Sequence, residues 1–447
     1  MGALVWNSIW GQVYWQMWGE AMPEPRPEPR PDTERYDSAM MLLFAAAAHP
    51  AVYTLPPDKL AKAIHLSHAR TLAYFGGTAW TIAALWLLVR GRAGERIRNW
   101  AARISSRVWV QGLLVAPVWL LILSLLDLPV SLLMERTYRA YGISVESWSM
   151  WFGDFAKSLT LTLIVGTLAL SALYALMRWS RQRWWLWFWI VAIPCEVLAV
   201  FIVPIMIDPL FDHFSPLMKS DPALVEQLER VAARGHLQIS PDRMFVMDAS
   251  AKVTAPNAYV TGFGASKRIV VWDTTIREVP PDEILAIYGH EQGHYVLHHI
   301  YLGMLFSFAV MLIFFWIASR LLRWLVRRFG GILHIHAIDD WASAGLILLL
   351  VTVLSFLAEP VGNAFSRWEE HAADVYGQEV IHGLVPDPQA TCVRSFQRLG
   401  ELWLDNPYPN AFVVFWSYSH PSTAARVSFA AHYDPWTPGR EPKYLAK

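Results

Sequence analysis

The chain has 447 residues, 55% of them hydrophobic and 17% charged, with 24 Trp and a formal net charge of zero. So low a charged fraction points to a membrane protein, and the balanced charge carries no basic footprint, so no nucleic-acid partner is expected. Two cysteines, Cys195 and Cys392, cannot build a disulfide framework and read as packing residues.

In chain order, residues 3–18 are apolar and Trp-rich but short for a span, and they lack the positive lead of a secretory signal, so they read as a weak anchor. The repeat PEPRPEPRPD at residues 23–32 reads as an extended tether. Residues 39–55, interrupted by Pro50, read as a re-entrant or surface helix. Four spans are expected at about 71–90, 108–133, 158–177 and 185–207, each near the roughly 20 apolar residues a bilayer requires. From Asp208 charged and apolar residues intermingle: Ala223 to Arg234 has the period of an amphipathic helix, and Met244 to Met247 and Arg268 to Trp272 read as strands. This is a water-facing insert.

The insert leads into His290-Glu291-Gln292-Gly293-His294, the pattern H-E-x-x-H. Pro280 and Pro281, then Asp282 and Glu283, are helix-start signals, since proline suits the first turn and carboxylates favour the positive end of the dipole. On a helix, residues four apart share a face, so both imidazoles can reach one zinc ion. Glu291 then lies beside the open coordination position, where a carboxylate can serve as base towards a water activated by the metal. The chemistry indicated is metal-assisted hydrolysis. The pattern alone supplies two ligands, and a third is needed.

A metzincin would carry Gly three residues and His six residues after His294, but Leu297 and Ile300 stand there, which excludes that class. His298 falls one turn beyond His294, yet three ligands stacked along one straight helix cannot converge on one ion. His298 and His299 therefore read as helix-end or interface residues. Further spans are expected at about 301–319 and 343–360, bringing the total to six, with the zinc helix running close to or into the first of them. Residues 361–447 are mixed, helical at first and then turn-rich. There Glu370 and Asp374 stand four apart, so on a helix one carboxylate can bind zinc while the other holds the far nitrogen of a zinc histidine; the plain alternative is a solvated acidic face. Asp127, Glu196 and Glu359, within or at the ends of apolar runs, are expected to face a polar interior or a partner.

Orientation follows from arginine placement. Arg90, 92, 96, 98, 103 and 107, then Arg178, 181 and 183, then Arg320, 323, 327 and 328, mark three connections that fall on one side if there are six spans. The positive-inside rule makes that side cytoplasmic, and the side bearing HEQGH non-cytoplasmic.

An ordered set of motifs resembles the membrane-embedded zinc metallopeptidases called CAAX prenyl proteases, or a-factor-converting enzymes, and more distantly the HtpX-type proteases. The set comprises Asn363, Ser366, Arg367, Glu370, Ala373 and Asp374 in the pattern N-x-x-S-R-x-x-E-x-x-A-D; Asn257-Ala258-Tyr259 followed by Lys267 to Val270 and Asp273-Thr274; Pro209-Leu210-Phe211 with Phe214 to Leu217; and His420-Pro421 with Arg426. The resemblance covers about residues 71–430. It implies a mainly α polytopic membrane protein of about six to seven transmembrane helices with a gluzincin-type HExxH metalloprotease domain carrying a small β-sheet, its spans enclosing a water-filled chamber. It makes His290, His294 and Glu370 the ligands of one Zn2+ per chain, with Glu291, His420 and Asp374 catalytic: base and acid, oxyanion donor, and partner of a zinc histidine. Asn257, Ala258, Tyr259 and Arg426 would bind substrate, Arg426 either by supporting His420 or by taking a substrate carboxylate. The family removes the C-terminal tripeptide of prenylated proteins, so a peptide or protein substrate is expected, lipidated or membrane-associated, with membrane lipid as the other partner. General membrane-protein or peptide quality control is the alternative, and a non-catalytic membrane protein with a degenerate site the other class.

The Trp- and Arg-rich composition is read as bacterial, implying an inner membrane. The expected division is a variable segment with its tether at 1–70, membrane helices at 71–207, a first protease part at 208–300, two further membrane helices at 301–360 and a second protease part at 361–447.

Overall fold

A computed structural model describes residues 53–261 and 267–445, with Phe201 and Thr261 described by their backbone only. The expectations for residues 3–18, 23–32 and most of 39–55 lie outside the described residues. Long helices α1 (Pro57–Arg90), α3 (Val108–Ala140) and α4 (Trp148–Trp179) precede the insert, with a short amphipathic α2 (Ala93–Ile104) after α1. Helix α5 (Trp184–Ile202) passes through a π-helical turn at Val203–Ile207 into Asp208–Phe211, bending by 49°.

Five helices among the described residues are long and apolar enough to cross a membrane, or six if the bent α5 segment is one span. All of the expected spans lie within them, but the helices run further. At about 1.5 Å per residue, 32 to 37 residues reach about 48–56 Å, against a hydrocarbon core of about 30 Å. The excess carries the helices beyond the hydrocarbon layer.

The bundle has two distinct ends. At one, Arg98 binds Asp340 at 2.7 Å, Arg178 donates to the Asp339 carbonyl at 3.1 Å and Arg323 to the Gln182 carbonyl at 3.3 Å. The three arginine-bearing connections are thus neighbours, as the six-span reading requires. At the other end, the Val145 amide donates to the Lys252 carbonyl at 2.8 Å, Lys252 binds Asp154 at 2.8 Å and Tyr53 donates to the Asp405 carbonyl at 3.2 Å. The insert is seated there.

The insert holds the amphipathic helix α6 (Pro222–Arg234) and a four-stranded sheet. Strands β1 (Phe214–Pro216), β2 (Met244–Met247), β3 (Ala258–Thr261) and β4 (Arg268–Trp272) lie in the order β1-β2-β4-β3. The β2–β4 pair is parallel and the outer pairs antiparallel, which leaves β3 as an edge strand. Helix α7 (Pro281–Val296) follows, then α8 (His299–Leu333), α9 (Ala344–Val380), α10 (Pro388–Leu402), α11 (Ala411–Ser417) and α12 (Thr423–His432). A single core under the sheet joins Leu224, Leu228 and Val231 of α6 to Val260, Ile269 and Val271, to Ile284 and Tyr288 of α7, and to Val427 of α12.

Helix α7 runs close to the next span without entering it: it ends at Val296, and the chain turns at Leu297 and at His298, whose φ is +60°. Ala344–Val380 form one unbroken helix despite Pro360, so the last membrane helix and the stretch bearing Glu370 are continuous. Proline is tolerated in such a helix because neighbouring groups satisfy the freed carbonyl.

Candidate metal centre

Helices α7 and α9 approach closely because glycine lines their crossing. A Cβ on Gly289 would lie 3.1 Å from the Gly377 carbonyl oxygen, one on Gly293 3.1 Å from Ala373 Cα, and one on Gly377 2.8 Å from the His290 amide nitrogen. Gly289 and Gly293, four apart, form a small-residue face that lets backbones touch. The start of α7 is tied down by Glu283, which is buried and accepts from Arg398 of α10 at 2.6 Å.

This contact brings the two histidines of α7 against the carboxylates of α9. The Nε2 atoms of His290 and His294 are 3.1 Å apart, and they lie 3.2 and 3.3 Å from Glu370 Oε2 and Oε1 respectively. A tetrahedral ion with bonds of about 2.0–2.1 Å has ligand–ligand edges of about 3.3–3.4 Å. One ligand atom from each of the three side chains lies within 4.8 Å of the other two, so all three can reach a single ion. They are the group among the described residues able to hold a metal ion, and the buried Glu370 Oε2 makes no hydrogen bond of its own. The donor set fits the implied zinc.

Behind these atoms, His290 Nδ1 lies 2.8 Å from Asp374 Oδ1. Arg426 of α12 grips the same carboxylate with two bonds, Nη2 to Oδ1 at 2.5 Å and Nε to Oδ2 at 3.0 Å, and stacks over Phe396 at 4.3 Å. The arginine expected to meet substrate is thus engaged behind His290. Burial and Arg426 depress the pKa of His290, but the adjacent Asp374 and Glu370 carboxylates outweigh them and raise it to about 10. Burial raises the Glu291 carboxyl above its ordinary value, against the pull of His290 and His294. Glu291 is half-buried on α7.

His420 lies after α11, its Nε2 3.2 Å from Glu370 Oε1 and its Nδ1 2.9 Å from Ser419 Oγ. Burial lowers its pKa, which favours the neutral ring. The α9 residues of the N-x-x-S-R stretch hold this loop: Asn363 donates to the Trp416 carbonyl at 2.5 Å, and Arg367 to the carbonyls of Val414 at 3.2 Å and Tyr418 at 2.5 Å. The Trp416 and Tyr418 carbonyls lie at and just past the end of α11, where helix ends leave such groups in want of donors.

Strand β3 packs against α7 and carries Asn257, Ala258 and Tyr259 at or near its start. Trp272 donates to the Asn257 carbonyl at 3.0 Å, so Asn257 and, two residues on, Tyr259 turn their backbone groups towards β4. The groups of Ala258 and Val260 face the free edge, and the Asn257 side chain accepts from the Ala258 amide at 2.9 Å.

Of the carboxylates in apolar runs, Asp127 accepts from Ser131 at 2.9 Å, and Glu359 accepts from Tyr74 across α9 and α1. Glu196 is buried in α5 with Ser307 of α8 beside it.

Sequence reasoning missed His299, which it assigned no role. Its Nδ1 is 3.0 Å from Nδ1 of His294. No periodic signal marks this contact, because it depends on the chain break at His298. The glycine spacing at 289 and 293 was a legible signal for the helix crossing.

A family model described as peptidase family M48 matches residues 218–434, and one described as CAAX prenyl protease N-terminal, five membrane helices, matches residues 47–213. An uncharacterized metalloprotease of Bacillus subtilis (strain 168), YhfN, is 32% identical over 383 residues, covering 86% of this chain and 88% of its own. CAAX prenyl protease 1 of Saccharomyces cerevisiae is 28% identical over 327 residues, 68% of each chain. The crystal structure of S. mikatae Ste24p superposes with a TM-score of 0.71 at 23% identity, covering 88% of this chain and 95% of that one, a likeness of fold.

Proposed function

The chain belongs to peptidase family M48 and is a membrane metalloprotease, and from that premise we propose how its own residues carry the reaction. His290, His294 and Glu370 hold one zinc ion. The observation that carries this is the convergence of His290 Nε2 and His294 Nε2, 3.1 Å apart, on the Glu370 carboxylate, whose Oε2 and Oε1 lie 3.2 and 3.3 Å from them, drawn from two helices that pack through glycine. When bound, the metal supplies a Lewis acid that polarises the scissile carbonyl and acidifies a water.

The remaining steps belong to the protein. Glu291 takes the proton of the attacking water and passes it to the leaving amine, for which burial raises its pKa usefully. His420, neutral and partly exposed, donates a hydrogen bond to the oxyanion. Asp374 accepts the Nδ1 proton of His290 and so aims Nε2 at the site, and Arg426 fixes Asp374. Arg426 thereby serves the histidine and not a substrate carboxylate. The peptide lies along β3 as an added strand, bonded by the Ala258 carbonyl and the edge-facing groups of Val260, while the Asn257 side chain occupies the Ala258 amide and Tyr259 shapes the edge.

Purified protein should contain about one zinc per chain, and Glu291→Gln should retain the metal while losing turnover of a peptide. Activity surviving in Glu291→Gln would refute the assignment.

As substrate we propose membrane-associated peptides and proteins, including prenylated proteins that lose their C-terminal tripeptide, on the strength of the relatives named CAAX prenyl proteases. A farnesylated CAAX peptide is expected to be cleaved faster than its unprenylated twin; equal rates would favour general peptide degradation. The membrane is proposed to be a bacterial inner membrane, with the site on its non-cytoplasmic side, because the arginine connections gather at the opposite end of the bundle. Single cysteines placed near Arg98 and Ser240, with Cys195 replaced, should be labelled from outside by an impermeant thiol reagent only near Ser240. The reverse pattern would overturn the orientation.

A further inference from the structure

We propose that His299 is the positioning residue of the second metal histidine: its Nδ1 accepts the Nδ1–H of His294 and holds that ring with Nε2 turned to Glu370. The inference rests on the metal-site reading above. It starts from an asymmetry between the two histidines. His290 has a carboxylate, Asp374, at its far nitrogen. His294 has no carboxylate there; the atom 3.0 Å from its Nδ1 is the Nδ1 of another imidazole, His299, which is buried.

The direction of this bond follows from chemistry. His294 Nε2 is the atom that faces His290 and Glu370, so a metal takes its lone pair there and the ring keeps its proton on Nδ1. That nitrogen can only donate. His299 must then accept at Nδ1 and carry its own proton on Nε2. One imidazole fixes the tautomer of the other, a task that metal-binding histidines usually give to a carboxylate, a backbone carbonyl or water.

The backbone is arranged for this contact. On a continuous helix, residue 299 would lie five positions past His294, about 140° round the axis, and could not reach it. His298, at φ +60° and ψ +30°, breaks the helix and starts α8 at His299. Left-handed backbone is uncommon for a residue other than glycine, although histidine tolerates it better than most. The turn swings the His299 ring back over His294, with Trp368 of α9 on its other side at 6.2 Å between ring centres.

The test uses three variants of the full chain in detergent, read by zinc affinity in chelator competition and by the visible absorption of the Co2+ form. The Oδ1 of an asparagine overlays the Nδ1 of histidine, whereas a glutamine places its amide at the Nε2 position. His299→Asn should therefore keep zinc affinity within about threefold of wild type, while His299→Gln and His299→Phe should lose about 10–100-fold and shift the Co2+ spectrum. Thermal unfolding of the metal-free forms separates binding from folding, and the comparison of the two amides stands even if the Phe variant does not fold. Wild-type affinity and spectrum in His299→Gln, or an equal loss in Asn and Gln, would overturn the proposal. A wild-type chain that binds no zinc or Co2+ would overturn the metal site itself, and the inference with it.

Discussion

Replacing Gly377 by alanine tests whether the closeness of α7 and α9 builds the metal site. The new Cβ would lie 2.8 Å from the His290 amide nitrogen, 3.0 Å from His290 Cα and 3.2 Å from the Gly289 carbonyl carbon. All three are backbone atoms, so no rotamer change relieves the clash, and the helices must separate by about 0.6 Å or more to reach ordinary contact near 3.4 Å. That displacement widens the gap between Glu370 and the two histidines, now 3.2 and 3.3 Å. Overpacking of this kind costs about 1–3 kcal/mol of stability. Because the strain falls on the ligands' own helices, zinc affinity should drop by about tenfold or more, each 1.4 kcal/mol being a factor of about ten. Chelator competition and thermal unfolding of the metal-free protein measure the two losses. Gly303→Ala on α8, where a Cβ would meet nothing within 4 Å, is the control and should leave both unchanged. Wild-type zinc affinity in Gly377→Ala would refute the reasoning.

Four further outcomes are expected. Asp374→Asn, which removes the charge shared by His290 and Arg426, should weaken zinc binding by about 10–100-fold in the same competition; unchanged affinity would remove Asp374 from the site. In the metal-free protein His290 holds its proton up to about pH 10, and a metal must displace it, so apparent zinc affinity should rise with pH, about tenfold per unit from this group, and level off above about pH 10. Likewise the raised Glu291 carboxyl is the base only when ionised, so kcat/KM should fall as pH drops through a point above the ordinary glutamate range. A limb at or below an ordinary glutamate's value would count against its role. Arg367→Met removes the Nη1 donor that holds both the Val414 and Tyr418 carbonyls, bonds worth about 1.5–3 kcal/mol each to a charged donor, so kcat/KM should fall about tenfold with zinc content unchanged as the His420 loop loosens. Full activity would show that the loop needs no such anchor.

What the sequence by itself determined is local and periodic. Apolar runs placed the spans, because a bilayer demands some twenty such residues in a row. The four-residue spacing of His290 and His294 put two imidazoles on one helical face, and the short apolar runs at β2 and β4 marked the sheet. Glu370 could be chosen over Glu369 only through resemblance to a known motif, since periodicity left the third ligand open. Only the tertiary structure decided that Glu370 meets histidines some 76 positions earlier in the chain, that Arg426 turns to Asp374, and that His299 reaches back to His294. Each depends on how two elements pack or on one left-handed residue between them. Side-chain periodicity reports which face a helix presents and ends where the helix ends; the partner that face meets is set by close packing of glycine against backbone at Gly289, Gly293 and Gly377.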